Sequence, residues 1–265
     1  MQHKVSELRQ DDLQKYAFVC FSSRQREEKL LDGFLQILGS ALGLIIGMDA
    51  DLLEIIGLSL RVTLTAVVIA CLIGLPLGAV VGAFHFRGRT GVTLVLNALM
   101  GLPPVVVGLL VYMTLSASGP LGVLGLLYTP TAMIVAQTLL VLPIVAALTR
   151  QVIDDILVEY AEQFLSLGVG NIHRIVALLW DARYSLLTVV LAGFGRATAE
   201  VGAVIIVGGN INHVTRVMTT TIALETSKGN LELALALGLI LLFLALVVNA
   251  FVMSLRSSAA RAAYA

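Results

Sequence analysis

The chain has 265 residues, of which 58% are hydrophobic and only 13% are charged, and its formal net charge is zero. A soluble globule of this length needs more polar surface, so the composition excludes that class and indicates a membrane protein. Apolar runs of about 20 residues without alternating polarity predict helical spans rather than a barrel. The balanced charge argues against a nucleic-acid partner.

The chain begins with a polar tail of mixed charge, residues 1–29. It lacks the basic, then apolar, then small-residue pattern of a secretory signal, so no cleavage is expected. Residues 30–48 form the first candidate span, in which glycine recurs every four residues. The alternative is a helix in the membrane interface, which the polar residues near its start would tolerate. The same glycine spacing recurs at Gly74, Gly78 and Gly82 and predicts close helix contact there.

Three more apolar segments, residues 58–84, 92–116 and 131–149, are each predicted to span the membrane. In the second of them, Pro103 and Pro104 remove two backbone donors and must bend or break the helix. A broken helix at membrane depth is tolerated where it is buried in protein or lines a cavity. The two prolines are therefore candidates for a translocation path, with simple kinked packing as the alternative.

Residues 150–184, after the fourth span, mix charged and apolar side chains and are predicted to form a helical hairpin. Its first helix ends at Gly168 and Gly170, and Asn171 is predicted to cap the second helix. A hairpin between spans is suited to docking against another protein, or else to lying on lipid headgroups.

Residues 185–207 form the next span, which carries Arg196 and Glu200 on one helix face near mid-membrane. An isolated arginine there would cost about 3 kcal/mol on insertion scales, so the pair should face the protein interior. Arginine before glutamate is the poorer order within a helix, which predicts further partners on neighbouring helices. A structural ion pair and a substrate contact both remain open.

The last span is residues 231–255, and a short tail, 256–265, closes the chain. If the hairpin lies in the cytoplasm, the basic clusters obey the positive-inside rule. These clusters are Arg24, Arg26 and Lys29; Arg87 and Arg89; Arg150 and Arg183; and Arg256 and Arg261. The first cluster joins the others only if residues 30–48 cross the membrane, which favours six spans over five.

Glu162, followed six residues later by Gly168, resembles the EAA loop of binding-protein-dependent ABC transporter permeases. The loop departs from that family where two alanines and, later, a Leu-Pro pair are usual. In the family this loop forms a coupling helix that sits in a groove of the ATP-hydrolysing subunit. His173 and Arg174 are expected on its exposed face, against acids of the ATPase or anionic headgroups. The resemblance implies this coupling loop: Glu162, Gly168, Asn171, His173 and Arg174.

Four further stretches resemble the tungstate, molybdate and sulfate branch of this family, with tungstate permeases the most similar: residues 99–112, 119–133, 194–210 and 215–230. The resemblance covers about residues 30–255. It implies an all-α polytopic membrane protein with the type I ABC permease fold, having six, or alternatively five, transmembrane helices and a cytoplasmic coupling hairpin. It also implies residence in the cytoplasmic (inner) membrane of a bacterium or archaeon, in contact with lipid.

The implied partners are an ABC ATPase subunit, a second copy of the chain in a homodimer, and an extracytoplasmic oxyanion-binding protein. The chain has no G-x-x-x-x-G-K-[ST] phosphate loop, so ATP is expected on the partner subunit and no cofactor on this chain. No nucleophile and base are recognisable in the spans, so neither catalytic residues nor enzymatic activity are expected. A carrier driven by an ion gradient, with Glu200 as its buried acid, is the alternative and needs no partner.

A permease must release its anion, so neutral donors, with a cationic residue nearby to attract it, suit that task better than a cage of full charges. Besides the two prolines, the candidates for the path or a gate are Gly208, Gly209, Asn210, Thr215, Arg216, Thr219, Thr220 and Thr221. The alternative role for this segment is packing. His213 lies in it too, but no second histidine or cysteine stands at ligand spacing, so no metal site is predicted.

Overall fold

The computed structural model describes residues 37–43, 46–47 and 50–263 of the chain. The tail 1–29 and part of the expected span 30–48 lie outside these ranges, while residues 37–43 are helical. The helices that follow are α1 (Ala50–Ala83), α2 (Arg89–Met100), α3 (Pro104–Leu115), α4 (Pro130–Ser166), α5 (Asn171–Asp181), α6 (Arg183–Thr198), α7 (Gly202–Gly208), α8 (Met218–Lys228) and α9 (Leu231–Ala263). A short 3-10 turn, Gly122–Leu124, lies between α3 and α4.

Three of the described helices, α1, α4 and α9, are long and apolar enough to cross a membrane. Two bent pairs, α2 with α3 at 98° and α5 with α6 at 75°, bring the number of candidate spans in the described residues to at most five. The 98° bend lies at Pro103 and Pro104, where the sequence predicted a break. Pro103 is extended and Pro104 is the first residue of α3, a position at which a proline removes no helical hydrogen bond.

The central contact of the fold is between α1 and α4, which pack together more extensively than any other pair of described helices. The predicted glycine face on α1 makes this approach possible. A Cβ atom on Gly78 would lie 2.4 Å from the carbonyl oxygen of Ala146, and one on Gly82 would lie 2.9 Å from that of Arg150. Close backbone contact of this kind is how small residues associate helices where lipid supplies no hydrophobic driving force.

Two apolar clusters surround this contact. In the first, Leu178 of α5 and Leu186 of α6 pack with the α1 and α4 side chains around Val145. This packing joins the hairpin to the core of the helix bundle, which we call the membrane core. In the second, α3 and α7 pack against α4 around Met133. The α3–α7 crossing is tight because a Cβ atom on Gly108 would lie 2.7 Å from the Cα atom of Ala203.

Several predicted helix boundaries are wrong. Helix α1 begins at Ala50 rather than at residue 58, so Asp51 and Glu54 lie in its first turns. Helix α4 continues through Arg150 to Ser166, because no glycine or proline interrupts residues 144–167. The first hairpin helix is thus the end of a span. Helix α9 likewise continues past residue 255 through most of the predicted tail.

The predicted single span 185–207 is also wrong, because the helix breaks between Thr198 and Gly202. Side chains satisfy backbone groups at the break. The side-chain carboxylate of Glu200 accepts a hydrogen bond from the backbone N–H of Ala203 at 3.0 Å. The backbone carbonyl oxygen of Glu200 accepts one from the hydroxyl of Thr219 at 3.0 Å. Irregular backbone is tolerated in an apolar setting only with such partners.

Candidate functional site: the hairpin and the polar segment after α6

The hairpin turns at Gly168, as the sequence predicted. Gly168 has φ 61°, a left-handed conformation that glycine adopts without the steric cost of a side chain. The backbone N–H of Val169 donates back to the carbonyl oxygen of Phe164 at 3.2 Å and closes the end of α4. Gly170, not Asn171, occupies the N-cap position of α5, because Gly170 has the extended conformation while Asn171 is already helical. The predicted cap at Asn171 is therefore wrong by one residue.

Helix α5 has apolar side chains on two sides. Leu178 is buried, and Ile175 and Leu179 pack against the same cluster of the membrane core. On the other side, Ile172, Val176 and Trp180 are 67%, 60% and 71% exposed. These last three residues, spaced four apart on the helix, form what we call the outer apolar face of α5.

Arg174 does not lie on the exposed face of the hairpin as expected. Its guanidinium lies 5.9 Å from the ring centroid of Phe84 and 5.6 Å from that of Phe164, and its Nε atom is buried. The reason is helical geometry, since Arg174 stands one turn before the buried Leu178 and shares its face. Arg174 thus joins α5 to the ends of α1 and α4, whereas His173 and Glu162 are exposed.

A cluster of charges lies at the base of the hairpin. Asp154 of α4 pairs with Arg89, the first residue of α2, and with Arg150 one turn earlier on α4. Arg89 also donates from Nε to the carbonyl oxygen of Val81 at 2.9 Å. This Arg89–Asp154–Arg150 cluster connects the ends of α1, α2 and α4. The only sequence signal for it is the i,i+4 spacing of Arg150 and Asp154.

Arg196 and Glu200 form the ion pair that their spacing predicted, at 2.7 Å from Nη1 to Oε2. The Glu200 side chain is 3% exposed and that of Arg196 is 29% exposed. Of the partners expected on other helices, the Glu200 carboxylate has one, the backbone N–H of Ala203 in α7. The Thr219 hydroxyl of α8 donates to the backbone carbonyl oxygen of Glu200 and not to its side chain.

The polar segment after α7 is held together by its own side chains. The hydroxyl of Thr215 donates to the carbonyl oxygen of Gly208 at 2.5 Å and accepts the N–H of Ile211 at 2.9 Å. The hydroxyl of Thr220 donates to Oδ1 of Asn210 at 2.9 Å. Both threonines are fully buried. The hydroxyls expected to face an anion therefore donate within the chain in this conformation.

The two glycines that precede this segment serve the packing and the turn. A Cβ atom on Gly208 would lie 2.9 Å from the sulfur of Met133, so α7 lies close against α4. Gly209 ends α7 in a left-handed conformation, with φ 70°. The remaining hydroxyl of the threonine run, on Thr221, donates to the carbonyl oxygen of Val217 at 2.7 Å.

Arg216 borders a cavity whose other charged side chains are acidic. Asp51, Glu225 and Glu232 line it together with Arg216. The hydrogen bond from Lys228 lowers the pKa of the Glu225 carboxyl, and the bond from Asn230 and the charge of Arg216 act in the same direction. Arg216 thus shares its cavity with three carboxylates rather than standing alone as an attracting charge. The cavity lies at the end of α1 and α9 opposite the hairpin.

Comparison with known proteins confirms the resemblance. Residues 74–259 match the family described as the binding-protein-dependent transport system inner membrane component. The chain is 42% identical over 229 residues to the tungstate uptake system permease protein of Peptoclostridium acidaminophilum, covering 86% of this chain and 99% of that one.

Two further relatives agree with this match. A probable anion ABC transporter permease protein of Haloferax volcanii is 42% identical over 204 residues, covering 75% of this chain and 88% of the relative. A tungstate uptake system permease protein of Campylobacter jejuni is 36% identical over 220 residues, covering 83% and 90%. The chain therefore belongs to the family of inner membrane components of binding-protein-dependent transport systems, as a permease subunit without catalytic function.

Proposed function

We propose that this chain is the membrane subunit of an ATP-driven importer for tungstate. Two relatives with tungstate in their names are similar over at least 83% of this chain, at 42% and 36% identity. The Haloferax volcanii relative is named for an anion only. Molybdate and sulfate are the next candidates, because they are tetrahedral dianions that the same donors could bind.

The structural observation that carries the ATP-driven part of the proposal is the outer apolar face of α5. Ile172, Val176 and Trp180 are exposed beyond the end of α4, while the opposite side of α5 packs on the membrane core. Membership of the family implies a separate ATPase subunit and a binding protein. The outer apolar face is the surface on which we expect that ATPase to dock. Arg174 and the buried Leu178 would then transmit its movement to α1 and α4.

We propose further that two copies of the chain enclose the path between them. In this conformation the protons of the Thr215, Thr219, Thr220 and Thr221 hydroxyls are donated within one copy. This favours a packing or gate role for the segment over direct anion binding. The bend at Pro103 and Pro104 remains a candidate part of the path.

The docking proposal is tested by two neighbouring substitutions to the same residue. Val176→Glu places a charge on the outer apolar face, whereas Ala177→Glu places it on an exposed position about 100° around the helix. Each variant is purified from its native membrane and tested for recovery of the ATPase. We expect Val176→Glu to lose the ATPase and Ala177→Glu to retain most of it. Full recovery with Val176→Glu would contradict this docking face.

The anion is tested with the assembled transporter in vesicles, together with its binding protein. We expect tungstate to stimulate ATP hydrolysis at lower concentration than molybdate, and sulfate to be the weakest. Uptake should cease when the ATPase is omitted. Stimulation by sulfate alone would overturn the tungstate assignment while leaving the permease assignment intact. Uptake without any ATPase would instead support a carrier driven by an ion gradient.

A further inference from the structure

Three side chains that can bind a metal meet at the end of the molecule opposite the hairpin. Asp51 and Glu54 lie in the first turns of α1, and His213 lies between α7 and α8. One ligand atom from each of the three lies within 4.8 Å of the others. The Nδ1 atom of His213 is 2.8 Å from Oε2 of Glu54. All three residues are exposed, so an ion could reach them from solvent.

The donor set selects a class of ion. An imidazole nitrogen with two carboxylates suits zinc and similar divalent transition metals, whereas magnesium and calcium prefer oxygen ligands alone. Asp51 and Glu54 are three residues apart on α1 and so share one face of the helix. Three protein ligands would leave a fourth position for water, as in open zinc sites.

The surrounding charges favour a cation at this position. Besides the ligands, Glu225 and Glu232 are acidic side chains of the adjoining cavity. Arg216 faces the same cavity and opposes the binding of a cation, and Lys228 is paired with Glu225. The acids, including the two carboxylate ligands, outnumber these bases, so the local field attracts a divalent ion.

We propose that Asp51, Glu54 and His213 bind one divalent transition-metal ion of the zinc class. The ion would connect the start of α1 to the connection between α7 and α8, which are 159 residues apart at Glu54 and His213. That connection also carries Thr215 and Arg216. A bound ion would therefore restrain the end of the molecule opposite the hairpin, and uptake should slow when the site is filled.

The test is a titration of the full-length protein in detergent, purified with an affinity tag that contains no histidines. Cobalt is added as a probe because its visible absorption reports its ligands, and zinc is then added to displace it. We expect one equivalent of cobalt to bind to the wild type and to be displaced by zinc. Absence of binding to the wild type would overturn the proposal.

The matched variants are His213→Ala, Glu54→Gln and His85→Ala. His85 is an exposed histidine between α1 and α2, at the opposite end of α1. Loss of one ligand should weaken cobalt binding about tenfold or more, whereas His85→Ala should leave it unchanged. Equal binding by the wild type, His213→Ala and Glu54→Gln would overturn the proposal. Thermal melting without metal checks that each variant is folded. If His213→Ala does not fold, Glu54→Gln provides the test instead, because glutamine preserves the size and shape of the side chain.

This titration does not depend on transport. Failure of the metal proposal would leave the proposed oxyanion import untouched, and failure of the import proposal would leave the metal titration unchanged.

Discussion

The carboxylate of Glu200 accepts a hydrogen bond from Arg196 at 2.7 Å on one oxygen and from the backbone N–H of Ala203 at 3.0 Å on the other. The first contact reaches back into the last turn of α6, and the second reaches forward into the first turn of α7. Glu200 therefore connects two helices across the break between them. This geometry favours a structural role for the pair.

Substitution of Glu200 should destabilise the protein, and by a larger amount when more of its contacts are removed. Glu200→Gln keeps an acceptor for the Ala203 N–H but removes the charge opposite Arg196, and we expect a loss of about 1–2 kcal/mol. Glu200→Ala removes both contacts, and we expect about 3 kcal/mol. Thermal melting in detergent measures both, with Glu159→Ala at an exposed position of α4 as the control. Equal melting of Glu200→Ala and the wild type would contradict the bridging role.

Substitution of Gly78 should separate α1 from α4. Gly78→Ala would place a methyl group 2.4 Å from the Ala146 carbonyl oxygen and 2.7 Å from Cβ of Thr149. Forcing an extra methyl into such a contact costs about 1–3 kcal/mol. The control is Gly57→Ala on the same helix, where a Cβ atom would have open space. It should be neutral or slightly stabilising, and a similar loss at both sites would refute the steric explanation.

Substitution of Asp154 should affect both stability and coupling. Asp154→Asn preserves the shape of the side chain but removes the charge shared by Arg89 and Arg150. We expect a loss of about 1–3 kcal/mol, because the group is only partly exposed. Stimulation of the ATPase by the loaded binding protein should also fall. Asp155→Asn, at an exposed neighbouring position, is the control. Equal stability and equal ATPase stimulation of the two variants would contradict a role for the Arg89–Asp154–Arg150 cluster.

Substitution of Glu225 should change the dependence of stability on pH. The hydrogen bond from Lys228 lowers the pKa of this carboxyl below its usual 4.5. The ionised form therefore stabilises the folded protein above pH 4.5, and this stabilisation is lost as pH falls through the lower, folded pKa. The melting temperature of Glu225→Gln should be lower than that of the wild type at pH 7, and the two melting temperatures should converge at acidic pH.

Melting temperatures measured from pH 7 down to pH 3 provide this test. Glu232→Gln, which removes another carboxylate of the same cavity, controls for the change in net charge. A difference between Glu225→Gln and the wild type that stays constant across the whole pH range would contradict the linkage.

The sequence alone determined the features that depend on spacing within a single helix or turn. The membrane class, the glycine face on α1, the break at Pro103 and Pro104 and the Arg196–Glu200 pair were all predicted correctly. Each follows from composition, from side chains three or four residues apart, or from the missing backbone donor of proline. The end of the first hairpin helix at Gly168 belongs to the same group.

Only the tertiary structure decided which distant residues meet, since no local spacing relates them. Arg174 lies close to the rings of Phe84 and Phe164 because α5 packs its Leu178 face on the core. Asp154 reaches Arg89 across 65 residues of the chain. His213 had no ligand neighbours in sequence, yet folding brings it to the acids at the start of α1. These contacts arise because packing of α1 against α4 fixes the positions of helix ends whose separation along the chain is large.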